Sequence, residues 1–286
     1  MEIKTVGVVG CGAMGSGITQ VCARSGGYQV VVSEINDELL NKGLVSIDSF
    51  LTRGIERGKV TQEEKEATLS RIKGTTNMQD FSQCDLIIEA VLEDLDMKKK
   101  VFALLGKICP EHTILSSNSS TLSITSMASA TTRQDKFLGL HFFIPAQLMR
   151  LLEIVRGVAT SDETVEICRA FGKSIGKTPI VAKDTPGRIP TRLSNIFRME
   201  AIRMVETGIG TAEDIDTAMT LGYNHPMGPL ALTDLIGLDT SYDVAAGMYE
   251  ETKDPKFAPP NLLKRMVAAG WLGRKTGKGF YEYKKE

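Results

Sequence analysis

The chain has 286 residues, 42% of them apolar, and a formal net charge of −1 from 34 basic and 35 acidic side chains. That length suits two domains better than one small core. The balanced charge gives no general attraction to nucleic acid or anionic lipid, and no run of about 18 apolar residues offers a transmembrane helix. Cys11, Cys22, Cys84, Cys109 and Cys168 lack C-x-x-C spacing and read as small apolar fillers in a reducing compartment. His112, His141 and His225 lie far apart without cysteine neighbours, so no metal site is expected.

Met1 to Thr5 runs straight into a strand pattern, leaving no room for a secretory leader; a cytoplasmic location is expected. Thr5 to Val9 is a β-branched run ending in Gly10. A helix is predicted from about Met14 to Ser25, and a second strand over Gln29 to Val32. This is the plan of a parallel βαβ unit. Asn36 to about Arg71 is charged and rich in helix formers, so it reads as a helical excursion from the sheet. Further strands are predicted at Leu86–Ala90, Ile114–Ser116, Phe137–Phe142, Leu151–Val155 and Ile180–Ala182.

After Asp184-Thr185-Pro186-Gly187 helical periodicity takes over. Leu193, Ile196, Phe197, Ala201, Met204 and Val205 fall near one helical face, which is therefore the face expected to be buried. Gly208 and Gly210 should end that helix, and Thr211 with Asp214 should cap the next. The expected architecture is α/β, a Rossmann-type doubly wound parallel sheet over residues 1–186, followed by an all-helical domain over 187–286.

Gly10-Cys11-Gly12-Ala13-Met14-Gly15 is G-x-G-x-x-G directly after a strand and at the start of a helix. The first glycines permit a tight turn and close backbone approach to a pyrophosphate, and the third lets helix and strand pack. Alone the pattern is common. Here Glu34 also stands at the end of the second strand, where a carboxylate accepts hydrogen bonds from an adenosine ribose and repels a 2′-phosphate. Dinucleotide binding follows, with NAD preferred over NADP.

His141 closes a predicted strand, on the side where parallel sheets bind ligands. Glu153 sits in the next strand beyond Pro145, and a hairpin-like return would bring its carboxylate to the ring. Such a pair fixes the tautomer and supports proton transfer. From spacing alone, a lone histidine satisfied by backbone and an ordinary exposed glutamate stand as an equal alternative. Asn118-Ser119-Ser120-Thr121 also follows a strand end; its hydroxyls suit a substrate oxygen or a nicotinamide ribose, and equally a turn or cap.

The chain resembles the 3-hydroxyacyl-CoA dehydrogenase family, and within it the bacterial 3-hydroxybutyryl-CoA dehydrogenases. The likeness runs through V-V-G-C-G-A-M-G-S-G-I at 8–18, I-I-E-A-V-L-E-D at 87–94, S-N-S-S-T-L at 117–122 and G-L-H-F-F at 139–143. It continues with D-T-P-G at 184–187, E-D-I-D-T-A-M at 213–219, H-P-M-G-P at 225–229 and G-R-K-T-G-K-G-F-Y at 273–281. The resemblance implies reversible oxidation of an (S)-3-hydroxyacyl-CoA thioester by hydride transfer to NAD. It makes His141 the base, Glu153 its orienting carboxylate and Ser120 the donor to the reacting oxygen. Gly10, Gly12, Ala13, Met14, Gly15 and Glu34 would hold the adenosine half of the cofactor, with Glu93, Lys98 and Ser120 near its nicotinamide half. Arg53 and Lys59, on the helical excursion, become candidates for CoA phosphates, and the helical domain a homodimer contact.

Several positions depart from the family pattern. Ile144 and Thr191 stand where the family has asparagines that flank the reacting carbonyl. Gln147 and the run Ser194-Asn195 replace residues that are usually proline and apolar. Arg188 adds a fixed cation that could attract a carboxylate, though a solvent-facing position is the usual fate of such an arginine; Pro190 should fit the first turn of the following helix. These changes point to a pocket altered for another substrate, either an acyl-CoA thioester or a compact ketone without CoA. A non-catalytic NAD-binding relative and an imine reductase are the other readings.

Overall fold

A computed structural model of the protein describes residues 1–284. The chain divides into two compact units, one spanning Met1–Asp184 and one beginning at Thr185.

The first unit is built on an eight-stranded sheet of order β3-β2-β1-β4-β5-β6-β7-β8. Its strands are β1 (Thr5–Val9), β2 (Gln29–Ser33), β3 (Ile72–Thr75), β4 (Leu86–Glu89), β5 (Ile114–Ser117), β6 (Phe137–Phe142), β7 (Leu151–Arg156) and β8 (Thr178–Lys183). The first six run parallel to one another, and the order 3-2-1-4-5-6 is that of a Rossmann fold. At its far edge the sheet takes the hairpin-like return that the His141–Glu153 spacing allows. There β7 pairs antiparallel with β6, and β8 runs parallel to β7, so the last two strands are reversed. The short segment around Pro145 accounts for this, since a parallel return needs a crossover of a dozen or more residues.

Alternate side chains build a core on each face of the sheet. Val6, Val8, Leu86 and Ile88 join Ile18, Val21 and Cys22 of helix α1 (Ala13–Arg24) on one side. Val9, Ile87 and Phe137 join Phe102 and Leu105 of α4 (Leu95–Ile108) on the other. All five cysteines are buried and free, and burial pushes the thiols of Cys11, Cys22 and Cys84 up to about 12. Two further helices, α5 (Ile124–Ala128) and α6 (Asp162–Ser174), complete the layers.

The helical excursion is two helices, α2 (Asp37–Glu56) and α3 (Gln62–Ser70). Asn36 caps the first and a Thr61–Glu64 capping box starts the second. Ile47, Leu51 and Val60 form a small core of their own. Strand β3, which follows, was not anticipated: its sequence Ile-Lys-Gly-Thr offers one apolar side chain and no alternation.

The second unit holds α7 (Pro190–Glu206), α8 (Ala212–Tyr223), α9 (Pro229–Ile236), α10 (Leu238–Thr252) and α11 (Asn261–Ala268). Met199, Ile202, Ile215, Leu230, Leu238 and Leu263 are among its core residues. Asp216 accepts the amides of Leu230 and Ala231 at the start of α9, and Asp234 accepts those of Phe280 and Tyr281. These two carboxylates explain the H-P-M-G-P and G-K-G-F-Y segments as structural. Thr211 caps α8 as expected, and Pro190 opens α7.

The expected buried face of α7 is corrected. Leu193 is 65% exposed, whereas Asn195 and Arg198 are buried beside Met199, Ala201 and Ile202. Apolar periodicity alone mispositioned the first turns of this helix. No helix among the described residues is long and apolar enough to cross a membrane.

Candidate active site

The glycine loop fits a dinucleotide at the sheet's switch point. Gly10 adopts φ 95°, and a Cβ there would lie 2.7 Å from the carbonyl oxygen of Ala90. At Gly15 a Cβ would fall 1.8 Å from the carbonyl oxygen of Gly10, so helix and strand approach as closely as backbone permits. A Cβ on Gly12 would meet nothing within 4 Å. Gly12 is also the N-cap of α1, which carries no side-chain cap and no acidic residue in its first turn. The amides of Ala13 and Met14 therefore sit at a helix N-terminus suited to a pyrophosphate. Glu34 extends from the end of β2 and accepts the amide of Cys11 at 2.7 Å, tying its carboxylate to the same loop.

On the other side of the switch, His141 and Glu153 are register partners across the β6–β7 pair. The imidazole Nδ1 lies 3.0 Å from a Glu153 oxygen, with His141 6% exposed and Glu153 fully buried. A carboxylate at Nδ1 favours the tautomer with the proton there and leaves Nε2 as the base. The ring also packs on Phe143, centroid to centroid 4.4 Å. The end of β6 is fixed by Asn118, whose side-chain oxygen accepts the amide of Phe142 at 2.8 Å.

The ends of the intervening strands β4 and β5 carry a polar network of their own. Glu93 accepts from the Ser119 hydroxyl at 2.5 Å, from the amides of Ser120 and Thr121, and from the Thr121 hydroxyl. Burial raises the pKa of Glu93, but the Ser119 hydroxyl and the charge of Lys98 outweigh it and hold the carboxyl below its ordinary range. Lys98 reaches Glu93 at 3.3 Å and Glu89 at 2.5 Å, and both Lys98 and Glu89 are buried. The second Glu89 oxygen accepts the Ser117 hydroxyl at 2.6 Å. Lys98, expected near the nicotinamide half of the cofactor, is buried between the carboxylates of Glu89 and Glu93. The Ser120 hydroxyl has no hydrogen-bond partner among the described residues.

Glu89 and Asn118 are the residues that sequence reasoning assigned no part. Glu89 ends an apolar strand nine positions before Lys98, a carboxylate where β4 meets the crevice, and that signal was available.

The helical excursion brings a basic cleft together. Arg24, Arg53, Arg57 and Lys59 line a cavity of about 200 Å³ with Phe50 and Gln147. The Arg53 guanidinium stands 5.9 Å from the Phe50 ring centroid. Of the departures from the family pattern, Ile144 is 66% exposed. Thr191 sits in the first turn of α7, half-buried. Arg188 is corrected: it is buried, at 4% exposure, with left-handed backbone at φ 48°.

Comparison with known proteins gives the family directly. The sequence model for the NAD-binding domain of 3-hydroxyacyl-CoA dehydrogenase matches residues 5–185, and that for the C-terminal domain matches 187–283. The chain belongs to the 3-hydroxyacyl-CoA dehydrogenase family. It is similar to a probable 3-hydroxybutyryl-CoA dehydrogenase of Deinococcus radiodurans, with 44% identity over 277 residues, 97% of this chain and 99% of that one. A mitochondrial hydroxyacyl-coenzyme A dehydrogenase of Sus scrofa is 43% identical, covering 99% of this chain and 92% of its own. Among solved structures, the (S)-3-hydroxybutyryl-CoA dehydrogenase of Ralstonia eutropha aligns with a TM-score of 0.97 and 45% identity, over 99% of this chain and all of that one. The protein is accordingly an NAD-dependent oxidoreductase of this family, with the Rossmann and helical architecture read from its sequence.

Proposed function

We propose that the protein interconverts short (S)-3-hydroxyacyl-CoA thioesters, of the 3-hydroxybutyryl-CoA class, and 3-oxoacyl-CoA. The observation that carries this reading is the buried His141–Glu153 pair at the mouth of the crevice, 3.0 Å apart. An inert NAD-binding scaffold has no need of it. When bound, NAD accepts the hydride that leaves C3. His141 Nε2 takes the hydroxyl proton, and Glu153 stabilises the resulting imidazolium. The free Ser120 hydroxyl donates to the reacting oxygen. Glu93 holds Ser120 by its amide, and Glu34 receives the adenosine ribose. Arg53 and Lys59, with Arg24 and Arg57 in the same cleft, match the charge of CoA phosphates.

A second reading, a compact ketone without CoA, is favoured by one observation. Ile144 presents an exposed apolar side chain where an amide would serve a thioester oxygen. NADH oxidation with acetoacetyl-CoA, measured beside free 3-keto esters and aryl ketones, separates the two. Turnover of acetoacetyl-CoA is the expected result, and turnover of free ketones alone overturns the thioester reading.

We also assign the protein to the cytoplasm as a homodimer. Support comes from the free buried cysteines and from Ile209, Leu221 and Tyr223 of the helical unit, which are 69%, 80% and 76% exposed in the single chain. Sedimentation at micromolar concentration tests the dimer, and a monomer there refutes it.

A further inference from the structure

The loop between β6 and β7 is held by one buried ammonium. Pro145 accepts the amides of Leu148 and Met149, both at 3.0 Å, so residues 145–149 close a single turn. Lys177 is 8% exposed, and its Nζ donates to the carbonyl of Ala146 at 2.5 Å and to that of Met149 at 2.8 Å. Its own backbone is fixed where α6 ends. Gly176 takes φ 74° there, and the Lys177 amide donates to the Gly172 carbonyl at 2.9 Å. The next amide, that of Thr178, donates to the Arg150 carbonyl at 2.7 Å and ties the start of β8 to the end of the same loop.

The two carbonyls that Lys177 holds bracket Gln147 and Leu148, and these are the residues of the loop that line the basic cleft. Gln147 lies over Gly17 of α1, its Oε1 2.9 Å from where a Cβ would stand, and its Nε2 donates to Gln20 at 3.4 Å. Leu148 is 63% exposed. A long amide bond and an exposed leucine hold little, so the turn depends on Lys177 for its position. Burial brings the pKa of Lys177 below the ordinary lysine range, a cost that a methionine of similar length would avoid. What the ammonium adds is two charge-assisted bonds across the turn.

We propose that Lys177 is a positioning residue for the CoA end of the substrate: its hold on Ala146 and Met149 sets Gln147 and Leu148 as a wall of the basic cleft. The proposal rests on the reading of that cleft as the site for CoA phosphates. In this role Lys177 meets neither substrate nor cofactor, and its loss acts on binding ahead of chemistry.

The test is NADH oxidation by the purified full-length protein with two acetoacetyl thioesters, one of CoA and one of N-acetylcysteamine, which has no phosphate. Lys177→Met should raise KM for acetoacetyl-CoA about tenfold, the scale of one charge-assisted hydrogen bond, while kcat changes much less. Ile144 adjoins the turn, so the short thioester should suffer too, but less. The ratio of kcat/KM, CoA over short thioester, should therefore fall. Lys177→Arg, which can donate to both carbonyls, should recover part of it. Gln147→Ala, which trims the wall and leaves the clamp, should lower the same ratio and decides the matter if Lys177→Met does not fold. A ratio unchanged in folded Lys177→Met or in Gln147→Ala overturns the proposal. So does a ratio no higher in folded Lys177→Arg than in Lys177→Met, or a loss carried mainly by kcat. A wild type that uses the two thioesters equally well removes CoA from the cleft and the proposal with it, and leaves the dehydrogenase reading standing. Failure of both thioesters in the wild type overturns the dehydrogenase reading itself.

Discussion

His141 and Glu153 stand opposite each other across the one antiparallel junction of an otherwise parallel sheet, and the pair exists because β7 turns back there. A parallel continuation would have carried the carboxylate elsewhere. The reversal places a buried acceptor 3.0 Å from Nδ1, which leaves Nε2 as the basic nitrogen.

His141→Ala should lower kcat by about 10²–10⁴-fold while NADH binding, measured by fluorescence titration, stays near wild type. Glu153→Gln should lower kcat less, since the amide still accepts from Nδ1 but carries no charge to stabilise the imidazolium. Near wild-type turnover in His141→Ala would show that the proton leaves by another route.

The carboxylate of Glu34 should set cofactor choice. Its attachment to the Cys11 amide holds negative charge beside the glycine loop, and no arginine follows in Ile35-Asn36-Asp37-Glu38. NADH should be preferred over NADPH by about tenfold or more, which corresponds to about 1.4 kcal/mol. Glu34→Ala should narrow that ratio, and equal kcat/KM for the two cofactors in the wild type would refute the assignment.

How much of this could be read from the sequence depended on how local the cause was. The glycine loop, Glu34 and the β1-α1-β2 unit were legible because their geometry is fixed within thirty-odd residues by turn chemistry and periodicity. The His141–Glu153 contact was legible only as one of two alternatives, since it requires a strand reversal that spacing permits but does not compel. The Glu89–Lys98–Glu93 chain escaped because burial, not residue type, makes Lys98 structural. On α7 the periodicity held for Ala201, Met204 and Val205, which join the core, but failed in the first turns: the helix buries Asn195 and Arg198 and leaves Leu193 exposed, a choice set by what packs on it. Where a local rule fails in this way, a functional reason is the first to seek.

The Lys98–Glu89 pair gives a stability prediction. Both partners are buried, so Lys98→Met leaves an uncompensated carboxylate at Glu89 and should cost about 3–5 kcal/mol in urea unfolding. Glu89→Gln with Lys98→Met should recover part of that loss, because the buried charge is gone and one of the two donors, the Val91 amide or the Ser117 hydroxyl, keeps an acceptor. A single variant as stable as wild type would mean that the pair is solvated in solution.

Glu93 links the same network to pH. Its carboxyl is held below the ordinary value of 4.5, mainly by the Ser119 hydroxyl and Lys98 working against burial. A depressed folded pKa means that its stabilisation is complete above the unfolded value and drains away as pH falls through the folded one. The Ser119–Thr121 turn should therefore stay ordered down to pH 5, and NADH affinity should fall only below about pH 4.5. Glu93→Gln should abolish that acid transition and lower kcat through a misplaced Ser120. An acid transition that survives in Glu93→Gln would assign it to another carboxylate.

The last prediction concerns Ile144 and Thr191, which replace the two asparagines expected at the reacting carbonyl. An apolar side chain at 144 leaves a thioester oxygen directed at it without a donor, and an unpaired desolvated acceptor costs about 1–3 kcal/mol. Thr191 restores at most one donor in place of an amide's two, and Pro190 fixes the backbone angle immediately before it. Reverting both positions should therefore raise kcat/KM for acetoacetyl-CoA by about tenfold, in keeping with about 1.4 kcal/mol of recovered hydrogen bonding. Free ketones, which have no thioester oxygen to satisfy, should gain less. Ile144→Asn alone should supply most of the effect, because Thr191 already offers a hydroxyl. Steady-state assays of the two single variants and the double variant, on acetoacetyl-CoA and on a simple aryl ketone, give the comparison. If the double reversion leaves the thioester rate unchanged, these two positions do not set substrate choice, and the altered-pocket reading is wrong.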